Sequence, residues 1–239
     1  MSESQAEIFA EYLETIPPEL REAETLAALQ DLLPGVETLG QAEAQLQHDW
    51  SWWGRPEQIW RPGPETYTLA LAGRGWGKSA AGAHAALYVM QHPELCGGRV
   101  AEGEDDEAAG EGAVMAIAGR TTNDGNQTMI EEGIMAYCDP ALRPEWRKSD
   151  RLLVSSCGVR CRIMSADVPE SFRGPNFGWG WPDELAHWRR LKQAWKQFKF
   201  THRIASPGHH PRAFITTTPL GLPDVIELAW QCSEGQPVK

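Results

Sequence analysis

The sequence predicts an α/β fold, a mainly parallel sheet flanked by helices with a helical appendage in front, and three observations carry that reading. Short apolar runs alternate with helical stretches from residue 67 onward, the pattern of strands joined by crossover helices. The first run passes through a glycine-rich turn directly into an alanine-rich helix, which makes a βα unit. Ahead of these runs, residues 17–33 and 38–53 read as helical stretches.

Taken in order, residues 17–33 (PPELREAETLAALQDLL) open with prolines and acids suited to a helix N-terminus and stop at Pro34-Gly35. A second helical stretch runs from Thr38 to Trp53, after which Pro56, Pro62 and Pro64 break the pattern into an extended loop. The expected division is an acidic helical appendage over 1–53 and an α/β domain over 54–239. Strands are expected at 67–72, 114–118, 159–164 and 214–218, and a helix at 80–90. Residues 177–181 make a poorer strand, carrying Gly178 and Gly180 and running into Pro182. The acidic, glycine-rich stretch 97–112 reads as a surface loop, and 224–230 as a further helix.

A chain of 239 residues is long enough for one sizeable core. Its 5 cysteines are an odd number, scattered without a CxxC pair, which excludes a disulfide scaffold or zinc ribbon and fits a reducing compartment. There is no apolar run of about 18 residues and no signal-peptide pattern at the start, so neither a membrane nor secretion is expected. The net charge of −11 is unevenly spread: residues 1–65 hold 13 acids against 3 bases, and residues 102–111 hold 6 acids and no base. Elsewhere bases prevail. Arg189, Arg190, Lys192, Lys196, Lys199 and Arg203 form an acid-free stretch interleaved with Trp188, Trp195, Phe198 and Phe200, suited either to meeting phosphates or to a solvated helix face over aromatic anchors.

The segment TYTLALAGRGWGKSAAGAHAALYVM carries the most chemistry. In the order strand, turn, helix, Gly73-Arg74-Gly75-Trp76-Gly77-Lys78-Ser79 is a P-loop (Walker A): its backbone N–H groups wrap phosphates, Lys78 supplies a point charge, and Ser79 is a Mg²⁺ ligand at a helix start. The usual first glycine is Ala72 here, and Arg74 is an unusual cation within reach of a γ-phosphate. Adjacent carboxylates follow at Asp183 and Glu184, the pattern of a Walker B acid that holds Mg²⁺ through water next to a glutamate that polarises the attacking water. Thr216, Thr217 and Thr218 end the last strand before Pro219, where hydroxyls can sense the γ-phosphate from the C-terminal edge of a sheet; by propensity alone they are good strand residues.

Together with Arg55-Pro56-Glu57-Gln58 and the segment Ser165 to Pro175 (SADVPESFRGP), these motifs, over roughly residues 46–221, resemble the N-terminal ATPase domain of the large terminase subunit of tailed bacteriophages. The resemblance implies a RecA-like (ASCE) P-loop NTPase fold and Mg²⁺-dependent ATP hydrolysis that powers movement of double-stranded DNA into a procapsid. It implies that Gln58 contacts adenine, that Asp183 and Glu184 catalyse, that Arg173 acts across subunits, and that Thr216 to Thr218 couple hydrolysis to movement. It further implies a portal protein, a small terminase subunit and a homo-oligomeric ring as partners, in the host cytoplasm. Large terminases carry a C-terminal nuclease domain, for which the residues after the coupling strand leave no room, so DNA cleavage is not expected of this chain. Two alternatives are a helicase-like P-loop ATPase and a nucleotide-gated assembly module with little turnover alone.

Overall fold

The computed structural model describes residues 3–18, 20–98, 112–174, 176–205 and 210–233. Most of the acidic stretch read above as a surface loop lies outside the described residues, as does Pro175. Two compact units divide the chain, Met1–Ile59 and Trp60–Lys239.

The first unit is helical. It holds α1 (Gln5–Glu14), α2 (Arg21–Leu32), α3 (Leu39–Leu46) and the single turn α4 (Trp50–Trp53). The stretch expected as one helix from Thr38 to Trp53 is thus two, because Asp49 accepts from the Ser51 N–H and starts a new turn. Helix α1 has its own start signal: Ser4 and Glu7 form a reciprocal capping box. Leu29, Val36, Ala42, Leu46 and Trp52 make a small core of this unit.

The second unit is a seven-stranded sheet with helices packed against it. Its strands are β1 (Tyr67–Leu71), β2 (Val114–Gly119), β3 (Glu145–Arg147), β4 (Leu152–Val154), β5 (Arg160–Ser165), β6 (Trp179–Pro182) and β7 (Arg212–Thr217), in the order β1-β7-β6-β2-β5-β4-β3. β1, β7, β6, β2 and β5 run parallel, while β4 and β3 extend one edge antiparallel. The sheet therefore inserts the threonine strand β7 between the strand that feeds the P-loop and the strand that ends in the acids. Helix α5 (Lys78–Met90) packs against β7, β6 and the helix over Gly125–Ile134, and buries Ala81, Gly82, Ala83, Ala85, Ala86 and Val89. A Cβ at Gly82 would collide with the Trp181 indole of β6, so the alanine and glycine content of α5 lets it lie close against a large aromatic.

The glycines that make β6 look poor in sequence have the same cause. A Cβ at Gly178 would sit 2.6 Å from the Cys96 backbone, and one at Gly180 2.6 Å from the Phe198 ring. β6 is buried along its whole length, and Trp179 and Trp181 supply the apolar area that the glycines lack. Phe198 comes from α8 (Leu191–Thr201), the helix of the basic stretch. Between β2 and β3 the chain forms the single turn α6 (Thr122–Asp124), a π-helix over Gly125–Ile134 and the single turn α7 (Met135–Tyr137); α9 (Pro223–Ser233) follows β7.

Candidate functional site

The P-loop leaves β1 at Ala72, whose N–H still pairs with the Thr217 carbonyl at 3.1 Å. Its left-handed positions are Gly75 (φ +80°) and Gly77 (φ +90°). Ala72 is not among the positive-φ residues, so a side chain is tolerated where a P-loop usually opens with glycine. Gly73, Arg74, Gly75 and Ser79 are exposed, and the Ser79 hydroxyl makes no hydrogen bond among the described residues. Lys78 is buried. Its ammonium donates to the carbonyls of Ala72 (2.9 Å) and Gly73 (3.1 Å) and stands 3.4 Å from Glu184 Oε1.

The acids sit on a turn that the threonine strand grips at three points. Thr216 Oγ1 accepts from the Trp181 indole N–H (2.8 Å) and donates to Asp183 Oδ1 (2.6 Å). Thr217 Oγ1 accepts the Ala186 N–H at 2.9 Å. Thr218 donates to Glu184 through its N–H (3.2 Å to Oε2), and its hydroxyl lies 3.1 and 3.0 Å from the two carboxylate oxygens. From the other side the Trp188 indole N–H donates to the Asp183 carbonyl at 2.9 Å.

Two departures from ordinary residues mark this turn. Burial pushes the Asp183 carboxyl up to about 6, against the opposing pull of the Thr216 hydrogen bond. Glu184 takes a left-handed backbone (φ +47°), which costs a non-glycine residue about 1 kcal/mol and is held in place by the bonds just described.

A cavity of about 480 Å³ opens in front of these groups, its wall including Arg74, Arg120, Asp124, Asp183, Glu184 and Thr218. Arg74 is the P-loop's contribution to that wall, and Lys78 approaches from behind Glu184. The sequence reading missed Arg120, Asp124 and His187, whose Nε2 lies 3.7 Å from Glu184 Oε2. They come from the exits of β2 and β6, and no local pattern distinguishes them. Arg173 is exposed at the end of the 3-10 turn Pro169–Phe172 and is not part of the cavity wall. Gln58 belongs to the first unit, where it is buried and its side-chain oxygen accepts the Arg55 N–H at 2.9 Å.

The donor set suits Mg²⁺. Asp183 is a buried carboxyl for which an adjacent cation would remove the cost of ionising, and Ser79 offers a second hard oxygen. Among the described residues no group of three or more His, Cys, Asp or Glu could hold a metal by itself. Such a site matches an ion held mainly by phosphate oxygens and water, with one or two protein oxygens. Among the same residues, no helix is long and apolar enough to cross a membrane.

Comparison with solved structures places the fold. The large terminase of a thermophilic bacteriophage aligns with a TM-score of 0.53 at 12% identity, over 82% of this chain and 44% of that one. Its complex with ATP-γ-S gives 0.51, again at 12% identity, over 82% and 43%. The ATPase domain of the Thermus phage P74-26 large terminase gives 0.46 at 17% identity, over 72% and 70%. This chain thus spans less than half the length of the full large terminase it aligns with. No curated protein sequence matches the chain. The sheet is that of a RecA-like ATPase domain, and the family model described as "Terminase large subunit, T4likevirus-type, N-terminal" matches residues 69–230, the span from β1 through the acid turn to α9. The chain therefore belongs to the terminase large-subunit family, within its N-terminal ATPase domain.

Proposed function

We propose that this domain hydrolyses ATP with Mg²⁺ and that hydrolysis drives double-stranded DNA into a viral procapsid. The observation that carries the reading is the convergence of Lys78, Glu184 and Thr218 in one contact network, with Asp183 fixed by Thr216 on the adjoining strand. The P-loop N–H groups and Lys78 would bind the triphosphate, Arg74 would meet its outer oxygens, and Ser79 and Asp183 would hold the metal. The metal would supply charge neutralisation at the phosphates. Glu184 would orient and deprotonate the attacking water. The three threonine hydroxyls would relay movement of the acid turn into β7 and so into the rest of the domain.

We propose further roles that the family resemblance suggests. Gln58 is assigned to adenine and Arg173 to the site of a neighbouring subunit in a ring. That ring would sit on a portal protein in the host cytoplasm with a small terminase subunit. The exposed Arg189, Arg190, Lys192 and Lys196 around the start of α8 are assigned to the DNA backbone, a contact checked by the salt dependence of DNA affinity.

The test is Glu184→Gln, which keeps shape but cannot take a proton. Phosphate release should fall by roughly 100-fold or more while nucleotide binding persists; equal turnover by both proteins removes Glu184 from the mechanism. Unwinding of a forked DNA by the wild type would instead assign a helicase. Absence of turnover with or without DNA, with nucleotide bound, would assign a gated assembly module, an outcome consistent with the occupied state of Glu184 between Lys78 and Thr218.

A further inference from the structure

A nucleoside triphosphate would bring several negative charges to a cavity already faced by Asp124, Asp183 and Glu184. Lys78, the P-loop cation, is paired with Glu184, and Arg74 is exposed on the loop. Arg120, paired through Nε with Asp124, brings its guanidinium from another wall. It follows directly on β2, whose neighbour β6 runs parallel to it and ends in the acids, so Arg120 and Asp183 leave the same edge of the sheet on adjacent strands.

The backbone at Arg120 is fixed on both sides. Its carbonyl accepts the Asp167 N–H at 3.0 Å. Gly119 before it is packed so tightly that a Cβ would meet the Gly125 nitrogen at 2.8 Å. The side chain is aimed by Asp124, whose Oδ2 accepts from Arg120 Nε (3.1 Å) and from the Thr121 N–H (3.2 Å), while Thr121 Oγ1 accepts the Asp124 N–H (3.1 Å). Asp124 thus holds the guanidinium by Nε and leaves its two terminal nitrogens for a ligand. The side chain is 47% exposed and forms part of the cavity wall, in contrast to Arg173.

We propose that Arg120, aimed by Asp124, binds the terminal phosphate of the nucleoside triphosphate held by the same subunit. The inference rests on the ATPase reading of this cavity and adds a residue to it. Two parallel N–H groups on a held guanidinium match two phosphate oxygens, and a contact with the γ-phosphate alone discriminates triphosphate from diphosphate. Asp124 is then a positioning residue, since it acts only through Arg120.

The experiment compares binding of ATP-γ-S and of ADP, each with Mg²⁺, by the whole chain and by Arg120→Ala, Arg120→Lys and Asp124→Asn. Arg120→Ala should lose about 10-fold or more in ATP-γ-S affinity, as expected for a lost charged hydrogen-bond pair, and stay within about 2-fold for ADP. Arg120→Lys should recover part of that loss, and Asp124→Asn should show a smaller loss of the same selectivity. Thermal melting without nucleotide should be unchanged in Arg120→Lys, which separates a ligand contact from a folding defect. Equal loss for both nucleotides, or no loss for either, overturns the proposal. If the wild type binds ADP and ATP-γ-S and only the selectivity result fails, the ATPase reading stands without Arg120. If the wild type binds neither nucleotide, that reading falls and takes this inference with it.

Discussion

The P-loop and the acid turn belong to one site and are built in opposite ways. The P-loop is exposed at Gly73, Arg74, Gly75 and Ser79, and the Lys78 ammonium reaches back to two of the loop's own carbonyls. The acid turn is tied to β7 by Thr216 and Thr217 and to the residue after it, Thr218, and is further held by Trp188. Open backbone N–H groups on left-handed glycines suit a part that must wrap a ligand, whereas carboxylates that must act on water at a fixed point need pre-set partners. The ligand's binding energy would thus go into organising the loop, with the acid wall already in place.

Lys78→Ala tests the open wall most severely. Nucleotide affinity should fall by about 100-fold or more, since a charged contact to phosphate is removed, and titration with a fluorescent nucleotide measures it. Retained affinity would mean that the loop binds through its backbone alone.

Asp183→Asn tests the closed wall through stability. The folded carboxyl titrates at about 6, above its ordinary value, so the fold favours the protonated form. That stability is present at acid pH and is lost as pH rises through about 6. The asparagine variant should therefore match the wild type near pH 4 and exceed it by about 3 kcal/mol at pH 8, in urea unfolding without nucleotide or Mg²⁺. An advantage that fails to grow with pH would show that Asp183 is not held against ionisation.

Thr218→Val keeps the backbone bond to Glu184 and deletes the hydroxyl contacts. A drop of about 10-fold in phosphate release with unchanged nucleotide affinity is expected; unchanged turnover would make the hydroxyl dispensable for placing Glu184. The smallest effects separate two glycines of the loop. Gly75→Ala, at φ +80°, should destabilise by about 1 kcal/mol, whereas Gly73→Ala, with nothing within 4 Å of its added Cβ and no positive φ, should stay within about 0.5 kcal/mol in the same unfolding assay.

This contrast also governs how much the sequence reveals. The P-loop is legible because its chemistry is local: glycines, lysine and serine at fixed spacing between an apolar run and an alanine-rich helix. The acid turn is only half legible. Its two carboxylates are visible, but β6 reads poorly because its glycines answer to Cys96 and Phe198, contacts distant in sequence. Arg120 and Asp124 are invisible for the same reason, since their role depends on the order β6-β2 in the sheet. β3 and β4 escape because three residues each are too short for an alternating pattern. Helix α1 is the avoidable miss, for the Ser4 and Glu7 spacing announces it.

The backbone of Glu184 carries a steric cost that its own side-chain bonds offset. Glycine would adopt φ +47° without steric cost, and asparagine would adopt it more readily than glutamate, yet neither can serve as a base toward water. Either change would relieve about 1 kcal/mol of backbone cost but leave the buried Lys78 ammonium without its carboxylate, so a library of this domain selected only for heat resistance should retain glutamate at that codon unless position 78 changes with it. A turnover screen run beside such a selection would report which of its members keep the proposed activity.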